Sequence, residues 1–125
     1  MVKKKKILII DDEKDFSYFL KFNLELIKKF KVYTANNGKK GIKAALRKKP
    51  DLILLDVMMP GIDGFAVLES LKENLKTTAI PVVMMTALDQ DEPREKACGL
   101  YSCDYFTKPV EIEKLIAGIN QILSL

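Results

Sequence analysis

Short apolar runs recur along this chain, each separated from the next by a longer amphipathic stretch. The runs are "KILII" (6–10), "KVYTA" (31–35), "DLILL" (51–55), "IPVVMMTA" (80–87) and "SCDYF" (102–106). All are of strand length, and "DLILL" has no polar alternation, which is the pattern of a strand buried on both faces. Strands of that kind need helices above and below them, so the chain is expected to form a parallel sheet with helices on both sides. The intervening stretches have helical period. "DFSYFLKFNLELIKKF" (15–30) puts Phe16, Phe19, Leu20, Leu24, Ile27 and Phe30 on one face. "NGKKGIKAALRKK" (37–49) turns Ile42, Ala45 and Leu46 inward and its lysines outward. Asp63 is placed to cap "GFAVLESLKEN" (64–74), with Phe65, Leu68 and Leu71 inward. A short helix is expected from about Glu92, with Pro93 in its first turn and Gly99 as its stop. "EIEKLIAGINQILSL" (111–125) carries Ile112, Leu115, Ile116, Ile119 and Ile122. Five strands thus alternate with five helical segments, an α/β doubly wound design.

Length and composition narrow the class. The 125 residues suit one domain, expected to span 1–125. No apolar run approaches the ~20 residues that cross a bilayer. The basic start "MVKKKK" is followed by four apolar residues and two aspartates, which is not an export signal. We therefore expect a cytoplasmic protein without membrane insertion. Cys98 and Cys103 read as reduced, partly buried small residues. The chain has no histidine, which excludes histidine-based triads, and two cysteines without histidine are a poor ligand set for zinc. Its net charge of +4 rests on lysines, with Arg47 and Arg94 the only arginines. Base-edge readers favour arginine, so direct nucleic-acid recognition is not expected.

Polar residues gather where the apolar runs end. Asp11 and Asp12 follow the first run, Asp56 the third, Thr86 closes the fourth, and Lys108 lies just past the fifth. In a parallel sheet these ends share one edge, where ligands bind. Two adjacent carboxylates at ~4 Å repel by about 4 kcal/mol at an effective dielectric near 20. A hard cation relieves that repulsion, and magnesium takes carboxylate and water oxygens octahedrally. Lys108 adds a second positive charge, Thr86 a hydroxyl, and the small Ala87 an accessible backbone N–H. A carboxylate nucleophile, two cations and phosphate-facing donors make a phosphoryl-transfer site with an aspartyl-phosphate product.

The segments "ILIIDDEKDF", "NNGKKGI", "PDLILLDVMMPGIDGF", "IPVVMMTA" and "DYFTKPV" together resemble the bacterial response-regulator receiver domain, chemotaxis regulators included, along essentially the whole chain. The resemblance implies a flavodoxin-like five-stranded sheet in the order 2-1-3-4-5. It implies that Asp56 accepts a phosphoryl group from a sensor histidine kinase or phosphotransfer protein. Asp11, Asp12, Asp56 and the backbone carbonyl of Met58 would hold Mg2+, and Thr86, Ala87 and Lys108 would bind the phosphoryl group. Thr86 and Tyr105 would form the switch, and Lys108–Pro109 would be cis. An output protein or domain would read the face made by the fourth helix, fifth strand and last helix. Such a chain catalyses its own phosphoryl transfer and dephosphorylation but serves mainly as a signalling switch. Met58 and Leu88 flank the path of the attacking water in that family, and as apolar residues they imply slow hydrolysis.

Three alternatives fare differently. A haloacid-dehalogenase-type phosphatase needs a carboxylate at position 58, which is Met58. A flavodoxin-like nucleotide or flavin binder needs a phosphate loop after the first strand, where "DDEKD" stands, and no G-x-x-x-x-G-K-[ST] occurs. A receiver-like interaction module that works without phosphorylation is the remaining competitor.

Overall fold

The computed structural model describes residues 3–61, 63–86 and 104–125, the side chain of Thr86 excepted. Five strands form one sheet: β1 (Lys5–Ile10), β2 (Phe30–Ala35), β3 (Leu52–Asp56), β4 (Val82–Thr86) and β5 (Asp104–Thr107). Every pairing is parallel and the order is β2-β1-β3-β4-β5. Four helices are described: α1 (Lys14–Glu25), α2 (Gly38–Lys48), α3 (Gly64–Glu73) and α4 (Ile112–Leu123). The sheet order is the one expected, and the helix anticipated from Glu92 to Gly99 lies outside the described residues, as do Ala87, Leu88, Cys98 and Cys103.

Burial follows the period-2 geometry of strands. Leu8, Ile10, Ile53, Leu55, Val82 and Met84 face the layer that holds Ala45 of α2 and Val67, Leu68 and Leu71 of α3. Their neighbours Ile7, Ile9, Leu52, Leu54, Val83 and Met85 face Leu20 and Leu24 of α1 and Leu115 and Ile119 of α4. Each of β1, β3 and β4 therefore buries both faces, which is why these strands lack polar alternation. The edge strand β5 is different, since Asp104 and Tyr105 are exposed and Phe106 and Thr107 only half-buried.

The helix ends follow local chemistry. Asn37 caps α2, its side-chain oxygen accepting from Lys40 N at 2.8 Å. Asp63 caps α3 as expected, accepting from Ala66 N at 2.8 Å. The first helix is shorter than its hydrophobic period suggests. It ends at Glu25, Lys28 takes a left-handed φ of 73°, and Phe30 opens β2 as a buried residue. Phe19, expected inward, is half exposed. The buried stripe of α1 is Ser17, Leu20 and Leu24, with Phe16 and Ile27 packed at its margin.

Candidate functional site

The carboxyl ends of β1 and β3 lie side by side, Ile10 opposite Leu55. The residues that follow each end therefore meet at the point where the chain's connections diverge to opposite sides of the sheet, which is where doubly wound folds bind ligands. Asp11 and Asp56 are both buried there, and Asp12 is half-buried beside them. One carboxylate oxygen from each of the three lies within 4.8 Å of the others. From the far side of the cleft, Lys108 directly follows the end of β5 and is joined to Pro109 by a cis bond.

The Lys108 ammonium lies 3.0 Å from Asp11 Oδ2 and 3.3 Å from Asp56 Oδ1. It also reaches Glu13 Oε1 at 3.4 Å and sits 4.6 Å from the centroid of the Phe16 ring. Backbone donors complete the cleft. Glu13 N donates to Asp11 Oδ1 at 2.9 Å, and Met58 N lies 3.4 Å from Asp56 Oδ1. The turn after β3 is held by Gly64 N donating to Val57 O at 2.8 Å and Val57 N donating to Met85 O at 2.9 Å.

The electrostatics show a site short of positive charge. Burial, and next the charge of Asp11, push the Asp56 carboxyl up to about 6. Burial likewise raises Asp11 above the usual carboxylate range, against the pull of the Glu13 N–H and Lys108. Burial draws Lys108 down, but the carboxylates of Asp11 and Asp56 outweigh it and leave its affinity for the proton raised. One ammonium does not neutralise three converging carboxylates. An all-oxygen donor set with no sulfur or imidazole fits a hard divalent cation such as Mg2+.

Of the residues singled out from sequence, Asp11, Asp12, Asp56 and Lys108 come together. Met58 sits beside Asp56, its side chain 62% exposed. Thr86 ends β4 opposite Thr107, with its side chain outside the described atoms. Tyr105 is 43% exposed on β5 and Ala87 lies outside the described residues. Sequence reasoning missed Glu13 and Phe16, the other two partners of Lys108. Their signal was their place in "DDEKDF", directly after the paired aspartates, but nothing in that segment points to a lysine 95 residues away. It also missed the exposed apolar stripe of Tyr18, Phe22 and Leu26 on α1, which the spacing i, i+4, i+8 does contain.

Residues 7–120 match the family described as response regulator receiver domain. Protein PilH of Pseudomonas aeruginosa is 38% identical over 119 residues, a stretch covering 95% of this chain and 98% of that protein. The DNA-binding dual master transcriptional regulator RpaA of Synechocystis is 39% identical over 118 residues. There the match spans 94% of this chain but 48% of the regulator, so the chain is about half that relative's length. Among solved structures, the receiver domain of the Francisella response regulator 1452 superposes with a TM-score of 0.86 at 30% identity, covering 97% of this chain and 98% of that one. The cleft at the ends of β1 and β3, the strand order and these likenesses agree: the chain belongs to the response regulator receiver domain family of two-component signalling.

Proposed function

We propose that this chain is a phosphoacceptor switch in which Asp56 receives a phosphoryl group from the phosphohistidine of a sensor kinase or phosphotransfer protein. In the transfer an Asp56 oxygen attacks phosphorus while the bond to the imidazole nitrogen breaks, and the imidazole leaves with that electron pair. The observation that carries the reading is the Lys108 ammonium held 3.3 Å from Asp56 Oδ1 in a cleft of converging carboxylates. Such an amine meets an incoming phosphoryl oxygen without rearrangement. Asp11, Asp12, Asp56 and the Met58 carbonyl are the residues that would hold Mg2+, which neutralises charge on the transferring oxygens when bound. The Ala87 N–H and the Thr86 hydroxyl would complete the phosphoryl contacts. Thr86 and Tyr105 would then shift together and alter the face read by an output protein or domain. We place this activity in one receiver unit spanning 1–125 and acting in the cytoplasm. Among the described residues no helix is long and apolar enough to cross a membrane.

Acetyl phosphate with Mg2+ tests the assignment directly. Wild type should acquire acid-labile label. Asp56→Asn should acquire none, and Asp12→Ala should lose it through loss of the metal. Wild-type labelling of Asp56→Asn would overturn the role of Asp56. A chain that bound its partner equally with and without beryllofluoride would instead be an interaction module independent of phosphorylation.

A further inference from the structure

Lys108 reaches the acceptor cleft from an edge strand with little burial of its own. Asp104 and Tyr105 of β5 are exposed, and Phe106 and Thr107 are half-buried. A lysine stem has four flexible carbons, so β5 by itself does not fix where the ammonium sits. Yet the Lys108 side chain is only 20% exposed, and among the described residues its ammonium has four neighbours. Two of them, Asp11 and Asp56, belong to the donor set that fits a hard divalent cation. A bound cation draws on those same carboxylates and repels the ammonium. The third, Glu13, lies at 3.4 Å with its side chain 64% exposed, and an ion pair so open to water holds little. The fourth is the Phe16 ring, with the ammonium over it at 4.6 Å from the centroid. Phe16 is the third residue of α1 and packs against the apolar layer that includes Ile7, Ile9 and Leu20, so the core fixes its ring. A phenyl ring carries no net charge, does not ligate magnesium and does not titrate. Its negative face attracts an ammonium whatever the state of the carboxylates.

We propose that Phe16 is a positioning residue for phosphoryl transfer: its ring holds the Lys108 ammonium beside Asp56 when the carboxylates are engaged by a cation. The partly desolvated setting strengthens that attraction. Without the ring, the flexible stem is free to carry the charge away toward Glu13 and solvent. An aliphatic side chain in the same place fills the apolar margin but offers no π face, so packing and positioning are separable. The role in transfer rests on Asp56 being the phosphoacceptor, whereas the contact between ring and ammonium does not.

Two measurements on the full chain test this. In the first, NMR with isotope-labelled lysine reads the Lys108 Hε protons, assigned by their loss in Lys108→Arg. A ring beneath the ammonium shifts them upfield. The shift should persist on saturation with Mg2+ and vanish in Phe16→Leu. In the second, acetyl phosphate with Mg2+ labels wild type, Phe16→Leu, Phe16→Tyr and Phe16→pentafluorophenylalanine. Phe16→Leu and the pentafluoro variant should take label about three- to tenfold more slowly, the worth of one cation–π contact. Phe16→Tyr keeps a π face and should keep both the upfield shift and the rate. The pentafluoro ring reverses the quadrupole at nearly the same shape, so slowing there does not come from lost packing. Loss of the upfield shift when Mg2+ is added would overturn the proposal. So would wild-type labelling of Phe16→Leu, or slowing in Phe16→Leu with none in the pentafluoro variant, which would mark the ring as packing alone. Absence of label in wild type would sink the phosphoacceptor reading instead, and the upfield shift would still decide whether the ring holds the ammonium.

Discussion

Asp56 loses its proton only near pH 6 in the folded chain, because burial and the neighbouring Asp11 oppose its charge. In the unfolded chain the same carboxyl titrates near 3.8. Between these values the unfolded state binds fewer protons, so this residue lowers stability as pH rises and keeps it lowered above the folded pKa. Asp56→Asn removes that penalty, while also losing the Lys108 contact. The variant should be more stable than wild type by about 1–3 kcal/mol at pH 8, with the difference vanishing below about pH 4. Urea unfolding at the two pH values checks this, and equal stability at pH 8 would contradict it. Placing Asp56 and Asp11 at strand ends was legible from "ILIIDD" and "LLDV". The raised carboxyl was not, since its cause is non-local burial together with the approach of two chain segments.

At the scale of elements, two glycines set how closely helices approach the sheet. A Cβ at Gly64 would run into the carbonyl oxygen of Asp56 and lie 2.7 Å from Val57 Cα. Backbone cannot yield there without moving the end of β3. A Cβ at Gly41 would lie 2.6–2.8 Å from three side-chain atoms of Ile10, which can shift in part. Alanine also gains about 1 kcal/mol of helix propensity over glycine. Gly64→Ala should therefore cost about 1–3 kcal/mol or more, and Gly41→Ala distinctly less. Denaturant midpoints for the pair decide it, and the reverse order would refute the backbone argument. On α1, Tyr18 is 61%, Phe22 66% and Leu26 57% exposed. This apolar stripe lies on the helix that follows Asp11 and Asp12, and under the proposed function a phosphodonor protein would approach from that side. Phe22→Asp should slow phosphoryl transfer from the cognate kinase about tenfold while leaving acetyl phosphate labelling unchanged, with loss of one interface anchor worth 1–2 kcal/mol as the reason. Parallel labelling with the two donors separates the effects, and an equal fall in both would count against docking on α1.

For the whole molecule, the sheet is a wall between two apolar layers, and each central strand contributes alternate residues to both. Leu54 and Leu55 are adjacent, fully buried, and belong to opposite layers. Leu54→Ala and Leu55→Ala should each cost about 2–5 kcal/mol. Their effects should nearly add, because the two side chains share no cluster. Against a total stability of about 5–15 kcal/mol for such a domain, the double variant should be largely unfolded at 37 °C. Circular dichroism across a urea series checks this. A negligible cost at either position would mean that its layer is not a packed core.

The sequence by itself determined that five strand-length runs would be covered by helices, that polar residues would collect at one edge of the sheet, and that Asp63 would cap α3. These are local matters of period, run length and capping chemistry, readable over a few residues. The sequence also carried the family motifs, from which the strand order and the site followed as expectations. Tertiary structure alone decided which side of α1 is buried, because Phe19 and Leu20 satisfy the same helical period and only contact with β2 and α4 distinguishes them. It decided that Phe30 opens a strand instead of closing a helix. It also decided that Lys108 meets Glu13 and Phe16 as well as the aspartates. Each of these depends on segments distant in the chain being brought within a few ångströms, and local pattern carries no information about that distance.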